Sequence, residues 1–113
     1  MDYEESRSKT KRILDIGCSV GISTFYLSDA FPAAKMTGLD LSAYFLAIAS
    51  HRASETKDSA TRIRYESIDW IHSQAEATDL ETNSIDLLTA CYIFHELPDA
   101  GARDIIREIY RLL

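Results

Sequence analysis

The stretch Asp15-Ile16-Gly17-Cys18-Ser19-Val20-Gly21 joins an apolar run to a helical pattern through small residues. Glycines there let the backbone bend sharply and approach a ligand closely. A helix that starts at such a turn offers unpaired N–H groups beside it. Asp40 comes roughly 20 residues after the turn, at the end of a second strand-like run. A carboxylate in that place accepts two hydrogen bonds from a ribose diol. Together these features describe an adenosine site at the carboxyl ends of adjacent strands, the edge where open α/β sheets bind ligands. The dinucleotide fingerprint itself is not met. It wants Gly at the first, third and sixth positions of the turn, where this chain has Gly17, Ser19 and Ile22. A nucleoside with an uncharged linker therefore fits better than a pyrophosphate.

Each of these residues also has a plainer reading. Gly17 and Gly21 serve any tight strand-to-helix turn, and Asp40 alone could cap the next helix. Their joint order and spacing favour the ligand site. Gly17-Cys18-Ser19-Val20-Gly21 also matches a G-x-S-x-G nucleophile elbow, with Ser19 as nucleophile and His95 as base. That motif needs an oxyanion-hole loop from an earlier strand, and only a short polar stretch precedes Ile13. His95 is a weak candidate for a catalytic base, and a surface or capping histidine beside Pro98 is the alternative. His51 sits on a polar helix face, and His72 at a strand end is read as structural. Cys18 and Cys91 read better as small buried hydrophobes than as reactive thiols. Trp70 and the tyrosines read as core or pocket wall rather than as a cation–π clamp.

The elements that must position the turn alternate between strand and helix. Ile13-Leu14-Asp15-Ile16 is a buried strand that stops at Gly17. Ile22, Phe25, Tyr26 and Ala30 follow at helical spacing, and Pro32 ends that helix. Residues 35–40 make a second strand. Ser42 is placed to cap a long helix through 57. Residues 54–64 are polar and read as a loop or frayed helix end, 68–72 as a third strand, and 78–84 as a loop. The run 85–92 is nearly continuous in apolar residues and suits the middle of a parallel sheet. After Pro98, Ala102, Ile105, Ile106, Ile109 and Leu113 form one apolar stripe of a last helix. This order predicts an α/β, doubly wound parallel sheet. Residues 1–11 form a polar N-terminal segment, and 12–113 the ligand-binding part of one domain.

A length of 113 residues suits one domain, and 46% hydrophobic with 27% charged residues fits a globular chain. A net charge of −6 argues against a nucleic-acid-binding surface. Two cysteines far apart make neither a disulfide framework nor a metal site, so no metal is expected and the thiols point to an intracellular, cytoplasmic setting, with an organelle as the alternative. The polar start lacks a signal-peptide core. No apolar run approaches the roughly 20 residues that span a bilayer.

Taken together, the motifs resemble those of class I S-adenosylmethionine-dependent methyltransferases. Asp15-Ile-Gly17-Cys-Ser-Val-Gly21 resembles their first motif and Gly38-Leu39-Asp40-Leu41-Ser42 their acidic second one. Gln74-Ala75-Glu76 and Ser84-Ile85-Asp86-Leu87-Leu88 are similar to the third and fourth segments. Phe94-His95-Glu96-Leu97-Pro98 resembles the segment after the fourth strand in the ubiquinone/menaquinone-biosynthesis-like subgroup, in a plant-type pattern. Residues 107–113 resemble the helix that runs into a Pro-Gly-Gly turn. The resemblance covers 13 to the end. It implies a Rossmann-like sheet in the order 3-2-1-4 and methyl transfer from S-adenosylmethionine to a small-molecule acceptor by direct displacement. It also implies residue roles. Asp15, Gly17, Cys18, Ser19 and Gly21 surround the methionine moiety, and Asp40 holds the ribose with Leu41 against adenine. Ala75 meets adenine through its backbone between Gln74 and Glu76, and Cys91 lies near the sulfonium. Ser19 and Gln74 depart from the family, where Gly and Asp are common.

The strand 85–92 has no later strand to cover its far edge, and such an edge is an aggregation hazard. We therefore expect further strands to be missing from this chain, and pairing with another chain along that edge is a corollary. The rival functional reading is a non-catalytic fragment or pseudoenzyme subunit that at most binds the cofactor.

Overall fold

The computed structural model describes residues 3–90 and 98–113. A short helix α1 (Tyr3–Lys9) lies within the polar N-terminal segment and precedes the sheet. Strand β1 (Arg12–Ile16), helix α2 (Ile22–Ala30) and strand β2 (Lys35–Asp40) follow. Helices α3 (Ala43–Ser54) and α4 (Ser59–Glu66) lead to β3 (Asp69–His72), β4 (Leu87–Thr89) and α5 (Asp99–Leu112). The strands lie in the order β3-β2-β1-β4, all pairs parallel, as expected for a Rossmann-like sheet.

Alternation along β1 divides the core in two, because successive strand side chains point to opposite faces. Leu14 and Ile16 join Leu39, Ala75, Ile85, Ile105 and Leu112 on one face. Ile13 joins Met36 and Ile68 on the other, with Phe25, Leu27 and Trp70 packed against them. Ile13, Leu14 and Ile16 are fully buried, each worth roughly 1.5–3 kcal/mol of apolar transfer. Asp86 ties the entry of β1 to β4: its carboxylate accepts the backbone N–H groups of Lys11 and Arg12, both at 2.9 Å.

Several expectations change. The inward face of α2 is Thr24 and Ser28, while Ile22 and Tyr26 are 48% and 71% exposed. The phase was legible only in part: Phe25 packs against the Ile13 cluster as expected, but the most buried positions are small polar ones, of which Thr24 reaches Asp15. The stretch expected to be a loop or frayed helix end, 54–64, contains most of a separate helix, α4. Asp58 caps that helix by accepting the Thr61 N–H at 2.9 Å and its hydroxyl at 2.7 Å. No residue of α4 is fully buried; it docks on α2 through the Tyr65 ring, 4.5 Å from the Phe25 ring between centroids, and through bonds from Arg64 and Tyr65 to Asp29. On α5 the buried residues are Ile105, Glu108 and Leu112, whereas Ile106 and Leu113 are half exposed.

Glu108 is buried because it is fully engaged. It accepts the Thr78 N–H (2.9 Å) and hydroxyl (2.7 Å), and Arg111 reaches it from Nε (2.6 Å) and Nη2 (2.8 Å). The Arg111 bonds, assisted by Thr78, pull its carboxyl down to about 2 against the cost of burial. Backbone bonds from Asn83 and Ile85 to the carbonyls of Arg111 and Leu112 complete the clamp between α5 and the loop before β4. Strand β4 is shorter than the expected run 85–92, whose last residues lie outside the described ones.

Candidate cofactor-binding site

The carboxyl end of β1 runs into a turn with three left-handed residues: Gly17 (φ 71), Ser19 (φ 54) and Gly21 (φ 91). Glycine takes that conformation without penalty, whereas Ser19 carries a cost of order 1 kcal/mol. Hydrogen bonds hold the turn. Gly17 N–H and Cys18 N–H both donate to the Leu39 carbonyl (2.8 and 3.1 Å), and Gly21 N–H donates to Cys18 C=O (3.0 Å). Ser19 N–H donates to Asp40 Oδ2 at 2.8 Å, which fixes the strained residue.

Asp40 thus stands at the end of β2 as expected, with a structural duty in addition. Its Oδ1 accepts the Ser42 N–H at 2.9 Å, so it supports the entry of α3, while Ser42 itself caps that helix through Phe45. Each carboxylate oxygen holds one backbone donor and keeps a further lone pair. A half-exposed carboxylate with spare acceptor capacity beside an open left-handed turn fits a ribose diol.

Asp15 is 1% exposed. Its Oδ2 accepts the hydroxyls of Ser23 and Thr24, both at 2.7 Å, and its Oδ1 accepts Thr89 Oγ1–H at 2.8 Å. It lies beneath the turn and holds the first turn of α2. Cys18 is 2% exposed, and burial pushes its thiol up to about 12, with the charges of Asp15 and Asp40 adding to the rise. A thiol so placed is a small apolar wall, not a nucleophile. The same two negative charges favour a cationic ligand and disfavour a phosphate.

Leu41 is 67% exposed at the same edge. The Leu41 carbonyl accepts from His72 Nε2 at 2.9 Å, so His72 has a structural partner. Ser73 N–H donates to Asp40 C=O (3.2 Å), which brings the 74–76 segment beside Asp40. Gln74 and Glu76 are exposed there, while Ala75 is buried in the apolar cluster on the α5 face. His51 is exposed on α3 and lies 3.6 Å from Glu55. Cys91 and His95 lie outside the described residues. Among the described residues no histidine is hydrogen-bonded to Ser19, and no group of three His, Cys, Asp or Glu is placed to hold a metal.

Sequence reasoning missed the supports of the site. Trp70 packs its ring over the two glycines that need it most. A Cβ on Gly38 would lie 2.6 Å from that ring, and one on Gly21 2.9 Å from it. Ser23, Thr24 and Thr89 carry no spacing signal, since hydroxyls reaching one buried carboxylate leave no periodic trace.

A parallel sheet in this order, with a left-handed turn after β1 and a carboxylate closing β2, is the nucleoside-binding half of a Rossmann-like fold. The chain belongs to the methyltransferase-domain family, whose model matches residues 13–113. That family is S-adenosylmethionine-dependent. A Synechococcus protein described as uncharacterized is 35% identical over 80% of this chain and 21% of its own length. The trans-aconitate 2-methyltransferase of Paracidovorax citrulli is 34% identical over 65% of this chain and 26% of its own. Among solved structures, the glycopeptide N-methyltransferase MtfA complexed with (S)-adenosyl-L-methionine superposes with a TM-score of 0.77 at 20% identity. The match covers 98% of this chain and 49% of that one. The chain thus spans about a fifth to a quarter of those two curated relatives. No helix among the described residues is long and apolar enough to cross a membrane.

Proposed function

We propose that this chain is the cofactor-binding part of an S-adenosylmethionine-dependent methyltransferase that acts on a small-molecule acceptor. The observation that carries the reading is the Asp40 carboxylate, bonded to the strained turn at Ser19 and still able to accept from a diol. Gly17, Cys18, Ser19 and Gly21 would enclose the methionine part, with Asp15 beneath them. Asp40 would hold the ribose, and Leu41, Gln74, Ala75 and Glu76 would border the adenine. When bound, S-adenosylmethionine supplies a methyl group on a positively charged sulfur, open to direct displacement. The chain's own contribution is to orient and to exclude alternatives: preset hydrogen bonds hold the turn so that little ordering is left for binding. Roles for Cys91 and His95 stay within this proposal. An intracellular setting belongs to the same reading, supported by the buried free thiol of Cys18. So does pairing of a further strand along the far edge of β4, supported by its last place in the sheet order of the described residues.

Calorimetric titration with S-adenosylhomocysteine tests the proposal. The parent chain should bind, and Asp40→Ala should weaken binding about 10- to 100-fold, the loss of charged hydrogen bonds. Asp40→Asn, which keeps one acceptor oxygen, should fall between. No binding by a folded parent chain overturns the reading. Binding without transfer to any acceptor would mark the chain as a binding part that needs other elements for turnover.

A further inference from the structure

We infer that Thr89 is a positioning residue for the cofactor turn, acting through Asp15. The inference rests on the proposed methyl-donor site and deepens it. Thr89 sits at the end of β4, directly opposite Asp15 in the parallel register of β1 and β4. Its hydroxyl donates to Asp15 Oδ1 at 2.8 Å. The other oxygen of the same carboxylate takes the hydroxyls of Ser23 and Thr24 at the start of α2. One buried carboxylate therefore joins β1, β4 and α2 where the strand order switches direction. That switch point is where open α/β sheets place their ligand crevice.

The geometry makes the turn a closed staple. Residues 17–21 leave β1 one residue after Asp15, and the chain returns to that carboxylate through Ser23 and Thr24. The torsion of the Asp15 carboxylate sets how the first turn of α2 presents its N–H groups, and Thr89 is the donor that holds that torsion from the opposite strand. Among the described residues every buried side-chain oxygen and nitrogen has a partner. Removing the Thr89 hydroxyl leaves Oδ1 without a partner among the described residues. The carboxylate then rotates or admits water, and the turn at Gly17, Ser19 and Gly21 loses its fixed shape.

The test compares Thr89→Val, which keeps the volume and removes the hydroxyl, with Thr89→Ser, which keeps the hydroxyl. Each is titrated with S-adenosylhomocysteine in the full 113-residue chain, with urea unfolding in parallel so that affinity is read per folded molecule. Thr89→Val should bind about tenfold more weakly, and Thr89→Ser should stay within about twofold of the parent. A role in packing alone would lower stability and leave the affinity of the folded molecules unchanged, which overturns the inference. So does a serine variant as weak as the valine one. If Thr89→Val does not fold, the parent decides: the Thr89 methyl and hydroxyl resonances must shift when the ligand is added, and unmoved resonances overturn the inference. A parent that binds nothing removes the methyl-donor reading and this inference with it. Binding that is unchanged by Thr89→Val removes only the inference.

Discussion

At the scale of single residues, Ser19 shows how a departure from the family is accommodated. Its left-handed backbone would suit glycine, yet Asp40 holds the serine N–H in place. Replacing Ser19 with Gly removes the Cβ conflict and should stabilise the chain by about 0.5–1 kcal/mol, read as a higher urea midpoint with an unchanged slope. No gain would mean that the added freedom of glycine in the unfolded chain cancels the relief of strain. Much of the site was legible at this scale. Gly17, Gly21 and Asp40 announce themselves because few residue types fit a left-handed turn or a strand-end carboxylate. Asp15 was legible as part of the turn but not as its hidden support. The hydroxyls that hold it come from α2 and β4, and nothing local in the sequence pairs them.

Among the elements, α5 depends on a polar lock rather than on its apolar stripe alone. Glu108 holds the loop before β4 through Thr78, and Arg111 extends the lock to Thr82 at 3.0 Å. Its carboxyl lies at about 2 in the folded chain against an ordinary 4.5. The stabilisation is therefore complete above about pH 4.5 and is lost as pH falls toward 2. Glu108→Gln should cost roughly 2 kcal/mol at neutral pH, a figure reduced for the partly exposed Arg111. The gap between parent and variant in urea should close as the solution is acidified, and a gap that stays constant with pH would refute this account. The same lock explains a misread element. A buried glutamate breaks an apolar pattern, so Ile106 and Leu113 were read into the stripe beside Ile105 and Ile109, which do face the core, and Leu112 was left out. Helix α4 was read only as a loop or frayed helix end for a related reason: none of its residues is fully buried, and beside the Tyr65 ring its anchors, the Asp58 cap and the bonds to Asp29, are polar. Strands were easier, since a parallel sheet covered on both faces must be written as short apolar runs.

For the molecule as a whole, the sheet is the single body that both core clusters share. Ile13 and Leu14 are neighbours in the chain but belong to opposite faces. Either one changed to Ala should lower stability by about 2–5 kcal/mol, and in both cases unfolding should remain one transition by two independent probes. Two separated transitions would show that the faces melt independently. The chain also contains one tryptophan, and that ring rests against the positions of Gly21 and Gly38. Trp70 is thus a built-in optical reporter on the bend that the donor would occupy. Excited at the long-wavelength edge of protein absorption, where indole absorbs and tyrosine scarcely does, its emission should change in intensity or colour when that bend tightens around a ligand, with no dye attached and no residue replaced.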